Sequence, residues 1–151
     1  MFESFFPKPK LFFGSLVLWI IFLITVWYSI GETLGNSLGF SLNTEEQVIG
    51  LGHFLTSEFL WFDLFYLFGT LIFYYSWRRY DSHFWQNWSI LGSALLIYLS
   101  YASVQVSVII NAWYGPFYND IQTALGGNGE VTVTQLYSHF IIFCTIAFPV
   151  S

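Results

Sequence analysis

The feature that most constrains this chain is the stretch Trp88–Leu125, which contains a long run without any charge. No Asp, Glu, Lys or Arg occurs between Asp81 and Asp120. A helix crosses the hydrocarbon core of a bilayer with about 20 predominantly apolar residues, and residues 90–113 exceed that length. A segment of this kind needs an apolar environment, so we predict a membrane-spanning helix here.

The composition of the whole chain indicates the same class of protein. Of its 151 residues, 56% are hydrophobic and only 9% are charged, whereas soluble proteins carry about 25% charged residues. The chain has no basic cluster, which excludes nucleic-acid binding, and its single cysteine, Cys144, excludes an internal disulfide. The motifs GxSxG, GxxxxGK[ST] and HExxH are absent, so we expect no enzyme activity and no ATP site.

The three histidines raise the question of a cofactor. His53, His83 and His139 are scattered over an outer connection, an inner connection and the last apolar segment. A haem between membrane helices needs two facing intramembrane histidines, and only His139 is placed inside. We therefore expect no cofactor and no metal, and interpret these histidines as polar packing or interfacial contacts.

Four apolar segments predict an all-α, polytopic membrane helix bundle formed by residues 1–151 as a single membrane domain. The predicted spans are residues 11–30, 59–77, 90–113 and 136–150. The third should end at the Gly115-Pro116 break, and residues 117–125 should form a short interfacial helix. Thr132 and Gln135 have capping-box spacing, which predicts the start of the fourth helix. Because that last segment is short, we expect the chain to end inside a span, as a fragment would.

The basic residues predict the orientation. Lys8, Lys10, Arg78 and Arg79 are the only Lys and Arg residues of the chain, and all lie in the head or the second connection. Cytoplasmic loops carry an excess of Lys and Arg. We therefore predict that the N-terminus is cytoplasmic and that the first and third connections face outward.

Small polar residues recur at helical spacing along the third segment: Ser93, Ser100, Ser103, Ser107 and Asn111. At about 100° per residue they fall on one stripe. Small residues let membrane helices approach closely, and hydroxyl and amide groups bond across the contact. The stripe can serve helix packing or substrate contact, and we interpret it as a helix-packing face.

Two acids lie near the outward end of the second span, Glu58 and Asp63. Acids within membrane spans mark proton or substrate paths, so both are candidates for intramembrane proton or substrate contacts. For Glu58 we favour a simple position at the water interface. Asp63 shares a helical face with Tyr66, Thr70 and Tyr74, and it can be either a proton carrier or a carboxylate bonded to neighbours. The sequence leaves those two interpretations of Asp63 open.

The segments WSILGSALLI and NAWYGPFYNDIQTAL, and the opening FESFFPKP, resemble the SbmA/BacA family of bacterial inner-membrane peptide transporters. The sequence pattern is also similar to one in the membrane domains of related ABC-type exporters, in which Asn-x-Trp is followed by Phe-Tyr and then by Ile-Gln. The motif residues here are Asn111, Trp113, Phe117, Tyr118 and Gln122.

The resemblance implies the N-terminal part of an ABC-exporter-like membrane fold without a nucleotide domain, and a homodimer around a central cavity. It also implies proton-driven import of peptides, including antimicrobial peptides, across the bacterial inner membrane. The glutamates tied to proton coupling in that family lie beyond residue 151, and Asp63 stands where a neutral aromatic is expected. Two alternatives stay open: a membrane interaction subunit without transport activity, and the membrane domain of an ATP-driven exporter.

Overall fold

The computed structural model describes residues 8–42, 48–81, 84–126 and 131–147. Within these ranges the chain forms helices and turns and contains no strand. Three helices are long and apolar enough to cross a membrane: α1 (Pro9–Ser37), α2 (Ser57–Tyr80) and α3 (Trp88–Leu125). A shorter apolar helix follows, α4 (Val133–Ala147). A 3₁₀ turn, Leu51–Leu55, precedes α2.

The predicted fold class, an all-α membrane bundle, is confirmed. The predicted spans 11–30, 59–77 and 90–113 each lie inside one of the three long helices. Both α1 and α3 contain a π-helical turn, Trp27–Gly31 and Trp88–Gly92 respectively. The fourth predicted span, 136–150, overlaps α4, and its residues 148–150 lie outside the described residues.

The predicted helix break at Gly115-Pro116 is wrong, because α3 continues through both residues as one helix. Pro116 lacks the N–H that would bond the carbonyl four residues earlier. The helix is nevertheless stabilised around this missing hydrogen bond, since the rings of Trp113 and Phe117 stack with centroids 4.5 Å apart. Where water is scarce, leaving one carbonyl unbonded costs less than breaking the hydrogen bonds of several residues. The separate helix predicted for residues 117–125 is therefore the end of α3.

The first of two compact units comprises residues 1–43 and 57–98. Its core is formed by aromatic and apolar side chains of α1, α2 and the start of α3: Phe12, Phe73, Tyr74, Trp77 and Ile90. Three indole N–H groups bond across α1 and α2, so each buried donor has the partner that an apolar environment demands. These bonds are Trp77 to Ser15 Oγ at 3.0 Å, Trp19 to the Gly69 carbonyl at 3.1 Å, and Trp61 to the Gly31 carbonyl at 3.0 Å.

Gly69 shows why α1 and α2 can approach so closely in this unit. A Cβ at this position would lie 2.8 Å from Cδ1 of Leu23, which is nearer than carbon atoms pack. The absent side chain leaves room for Leu23 and exposes the Gly69 carbonyl to the indole of Trp19. Small residues play this role generally where membrane helices meet.

The second compact unit comprises residues 44–56 and 99–151. Val106 and Ile109 of α3 pack against Ile146 of α4 in its core. A hydrogen bond of 3.1 Å between His53 Nε2 and Gln105 Oε1 ties the Leu51–Leu55 turn to α3. The histidine predicted for an outer connection thus makes a polar packing contact.

The start of α4 agrees with the predicted capping box. The backbone N–H of Thr132 donates to Oε1 of Gln135 at 2.8 Å, and helix α4 begins at the next residue, Val133. The Gln side chain thereby satisfies a backbone donor that the first turn of a helix leaves without a partner.

Candidate functional site

Asp63 of α2 has a defined partner in the first unit. The phenolic O–H of Tyr98 donates to its Oδ2 at 3.1 Å. Its other carboxyl oxygen, Oδ1, is buried and accepts no hydrogen bond from the described residues. The acid therefore combines one oxygen held by Tyr98 with one that has no hydrogen-bond donor among the described residues.

A cavity of about 330 Å³ lies against this carboxyl group. It is lined by residues of α2 and of the first part of α3: Asp63, Tyr66, Leu67, Thr70, Leu91, Ala94, Leu95 and Tyr98. Tyr66 does not face the acid as a donor, because its O–H donates to the carbonyl of Ala94 at 2.8 Å. The prediction that Asp63 has partners in the bundle is met by Tyr98, which is on another helix.

Glu58 does not join Asp63 in a paired site. It lies in the first turn of α2, is exposed, and stands five residues before Asp63, about 140° round the helix. The position of Glu58 at the water interface, favoured from the sequence, stays a prediction. A role for Glu58 or Asp63 in proton or substrate contact stays a prediction.

The five motif residues of α3 divide between two faces of the helix. Trp113 is 5% exposed and Phe117 is half-buried, and both pack toward α4, where the ring of Trp113 lies 4.9 Å from that of Phe143. The other three point the opposite way, since their spacing of seven and four residues places them on one stripe. These exposed residues are Asn111, Tyr118 and Gln122.

The exposed motif residues continue the serine stripe predicted from the sequence. All four serines of that stripe are exposed: Ser93, Ser100, Ser103 and Ser107. The Oγ of Ser107 donates within its own helix, to the carbonyl of Ser103 at 3.2 Å. One polar face thus runs along most of α3, and its role in helix packing stays a prediction.

The buried motif residue Trp113 lies next to a contact between a histidine and an aspartate in the second unit. Its indole N–H donates to the backbone carbonyl of His139 at 2.9 Å. The imidazole Nε2 of His139 lies 2.9 Å from Oδ2 of Asp120, and the two side chains are 16% and 35% exposed. Backbone and side chain of one residue of α4 are therefore both held by α3.

Sequence reasoning missed this pair. Asp120 lies in the motif segment but was given no role, and His139 was interpreted only as a packing or interfacial residue. The two are 19 residues apart on different helices, and no local spacing signals their contact. His83, the third histidine, lies outside the described residues. Within those residues no group of three or more His, Cys, Asp or Glu side chains is placed to hold a metal.

These features define the class: an all-α, multi-pass membrane protein whose longest helix carries one buried aromatic face and one exposed polar face. The model of the SbmA/BacA-like family matches residues 82–151, the segment that contains α3, α4 and the whole motif. The recognition of this family from the sequence is confirmed over that segment. The match supports a transport role for the chain.

Proposed function

We propose that this chain is the N-terminal part of a proton-driven transporter that takes up peptides, antimicrobial peptides among them, across the bacterial inner membrane. The observation that carries the proposal is the exposed polar face of α3 inside the segment matched by the SbmA/BacA-like family. Transport of a polar peptide needs such a face inside the membrane, since lipid offers the peptide no hydrogen bonds.

The length of α3 makes it the helix best suited to line a path. Its 38 residues extend about 57 Å at 1.5 Å per residue, well beyond a hydrocarbon core of about 30 Å. Asn111, Tyr118 and Gln122 would be poorly placed against lipid, because polar residues in spans face a bundle interior or a water-filled cavity. We propose that this face meets a second copy of the protein in a homodimer and lines the peptide path there.

Asp63 is the proposed proton-binding group of this part of the transporter. Its Oδ1 is buried without a hydrogen-bond donor in the described part of the chain, beside the cavity of about 330 Å³. A carboxyl group in this setting can take up and release a proton while Tyr98 keeps it oriented through Oδ2. Intramembrane acids commonly serve as proton relays.

The direction of transport depends on orientation. We propose that the N-terminus and the Arg78–Arg79 end of α2 are cytoplasmic, because all Lys and Arg residues lie there. The exposed acids Glu32 and Glu58 would then face outward, where positively charged peptides first meet the protein.

Uptake of a fluorescent proline-rich antimicrobial peptide tests the proposal in cells that lack their own peptide importer. The 151-residue chain and a version extended to family length are compared with and without a protonophore. We expect only the extended form to import, and the protonophore to abolish import. Absence of uptake by both forms, although both insert in the membrane, would contradict the proposal.

Two substitutions in the extended form distinguish a role of the polar face in uptake from a general loss of folding. Asn111→Leu should lower uptake at least ten-fold because it removes an amide from the proposed path, while Leu99→Val, at an exposed apolar position about 120° round the same helix from Asn111, should leave uptake unchanged. Asp63→Asn should lower uptake and weaken its dependence on the proton gradient. Equal uptake by the Asn111 and Leu99 variants would exclude the path assigned to α3.

The exposed serines also favour a second function, that of a membrane interaction subunit. Such a subunit would dock on a partner through Ser100, Ser103 and Ser107 without moving a substrate. Co-purification of a stable complex from cells in which the extended form imports nothing would favour this function over transport.

A further inference from the structure

An open groove of about 630 Å³ lies in the first unit. It runs along α1 from Phe12 to Tyr28, and residues of α2 and of the first turns of α3 form its other walls. The 16 residue steps between those two side chains correspond to about 24 Å. The groove therefore extends over most of the thickness of the hydrocarbon core.

The lining of the groove is mostly apolar, and three of its polar groups have partners within the protein. Among the groups that could bind a polar ligand, Tyr66 donates to the Ala94 carbonyl at 2.8 Å and Trp19 donates to the Gly69 carbonyl at 3.1 Å. Ser89 likewise donates to the carbonyl of Gln86 at 3.1 Å. Most of the lining thus offers apolar contact area, which suits an alkyl chain.

The two ends of the groove carry opposite charges. The contacts Ser15–Trp77, Trp19–Gly69 and Gly31–Trp61 show that α1 and α2 are antiparallel. The N-terminal end of α1 and the last turn of α2 therefore coincide, and they bring together four cations and one acid: Lys8, Lys10, Arg78, Arg79 and Asp81. The opposite end holds only acids among its described charged residues: Glu32, Glu58 and Asp63.

Lys10 is the cation best placed to hold a ligand at the mouth of the groove. It lies one turn before Phe13, which lines the groove, and about 60° from it round the helix. Among the described residues it pairs with no carboxylate, whereas Lys8 lies 3.8 Å from Asp81. Lys10 is also exposed, so its ammonium group can reach a headgroup at the membrane surface.

We propose that this groove binds an anionic diacyl phospholipid, with its acyl chains along α1 and its phosphate at Lys10. Charge selects this occupant, since the cationic end attracts an anionic headgroup and the acidic end repels it. The proposal is independent of transport.

Native mass spectrometry of the delipidated full chain tests the proposal with phosphatidylglycerol and phosphatidylcholine of identical acyl chains. We expect tighter binding of one phosphatidylglycerol molecule. Lys10→Gln should weaken that binding about five-fold, the effect of one basic residue near a membrane surface, and leave phosphatidylcholine unchanged. Lys10→Arg is the matched control, because it keeps the positive charge at the mouth of the groove, and it should change phosphatidylglycerol binding less than two-fold.

A second pair of variants tests the groove itself. Ala94→Phe places a ring among the groove-lining residues and should lower phosphatidylglycerol binding at least ten-fold. Ala124→Phe, on an exposed position of the same helix, should not. Equal affinity for both lipids would overturn the proposal, as would unchanged lipid binding by Ala94→Phe. Loss of self-association in Ala94→Phe without loss of lipid would identify a second copy of the chain as the occupant instead.

Discussion

Trp113 is one of the residues through which the motif helix α3 contacts α4. Its side chain is 5% exposed, stacks on Phe117 and donates its indole N–H to the His139 carbonyl at 2.9 Å. Trp113→Phe keeps an aromatic ring in the same place but removes that donor and part of the stacking surface. We therefore expect a local loss of stability in the second unit.

The magnitude follows from the two interactions that are lost. A hydrogen bond contributes about 1 kcal/mol net, and an aromatic pair contributes about 0.5–1.5 kcal/mol beyond its burial. Since Phe retains part of the stack, the opening free energy of α4 should fall by about 1.5 kcal/mol. At about 1.4 kcal/mol for each factor of ten, this corresponds to roughly ten-fold faster exchange of its backbone amides.

Hydrogen exchange with mass spectrometry on the detergent-solubilised chain measures this effect helix by helix. Trp61→Phe is the matched control, because the same substitution there removes the 3.0 Å bond to Gly31 in the first unit. It should accelerate exchange in α1 and α2 and leave α4 unchanged. Unchanged exchange of α4 in Trp113→Phe, or equal acceleration in all helices, would refute this account of the second unit.

Three other perturbations test separate contacts. Tyr98→Phe leaves Asp63 without its hydroxyl donor and should lower stability in thermal unfolding by about 1–2 kcal/mol, and Asp63→Leu in the same chain should restore most of it; additive losses would contradict the bond. Gln135→Ala removes the cap of α4 and should cost about 1 kcal/mol, visible as faster exchange of its first turn only, and uniform acceleration would argue against a capping role. Ser103→Leu should impair self-association in a crosslinking assay more than Val104→Leu, and equal impairment would exclude the serine stripe as a packing face.

Some contacts of the candidate sites were foreseeable from local spacing. Thr132 and Gln135 are three residues apart, and the capping bond between them forms as predicted. The position of Asp63 on a polar face of α2 correctly indicated that it has a partner. Its donor was not foreseeable, because Tyr98 is 35 residues away on α3. The spacing of residues along α2 does not distinguish Tyr98 from the other hydroxyl groups of the chain.

The error at Gly115-Pro116 has a physical origin as well. Local propensity favours a helix end there, since proline lacks a backbone donor. The continuous helix is supported by contacts across helices, in which Trp113 packs against Phe143 and donates to the His139 carbonyl. Such contacts depend on the position of α4, which cannot be inferred from the residues next to Pro116.

The sequence by itself determined the class of this protein, its helical spans and the family of its later part. Hydropathy, charge placement and motif are properties of single segments, and a bilayer admits few structures for segments so apolar. Only the tertiary structure decided which side chains meet: Asp120 with His139, Tyr98 with Asp63, and the aromatic walls of the groove along α1. Those contacts join residues of different helices, so their formation depends on how the helices pack and not on the order of residues along any one of them.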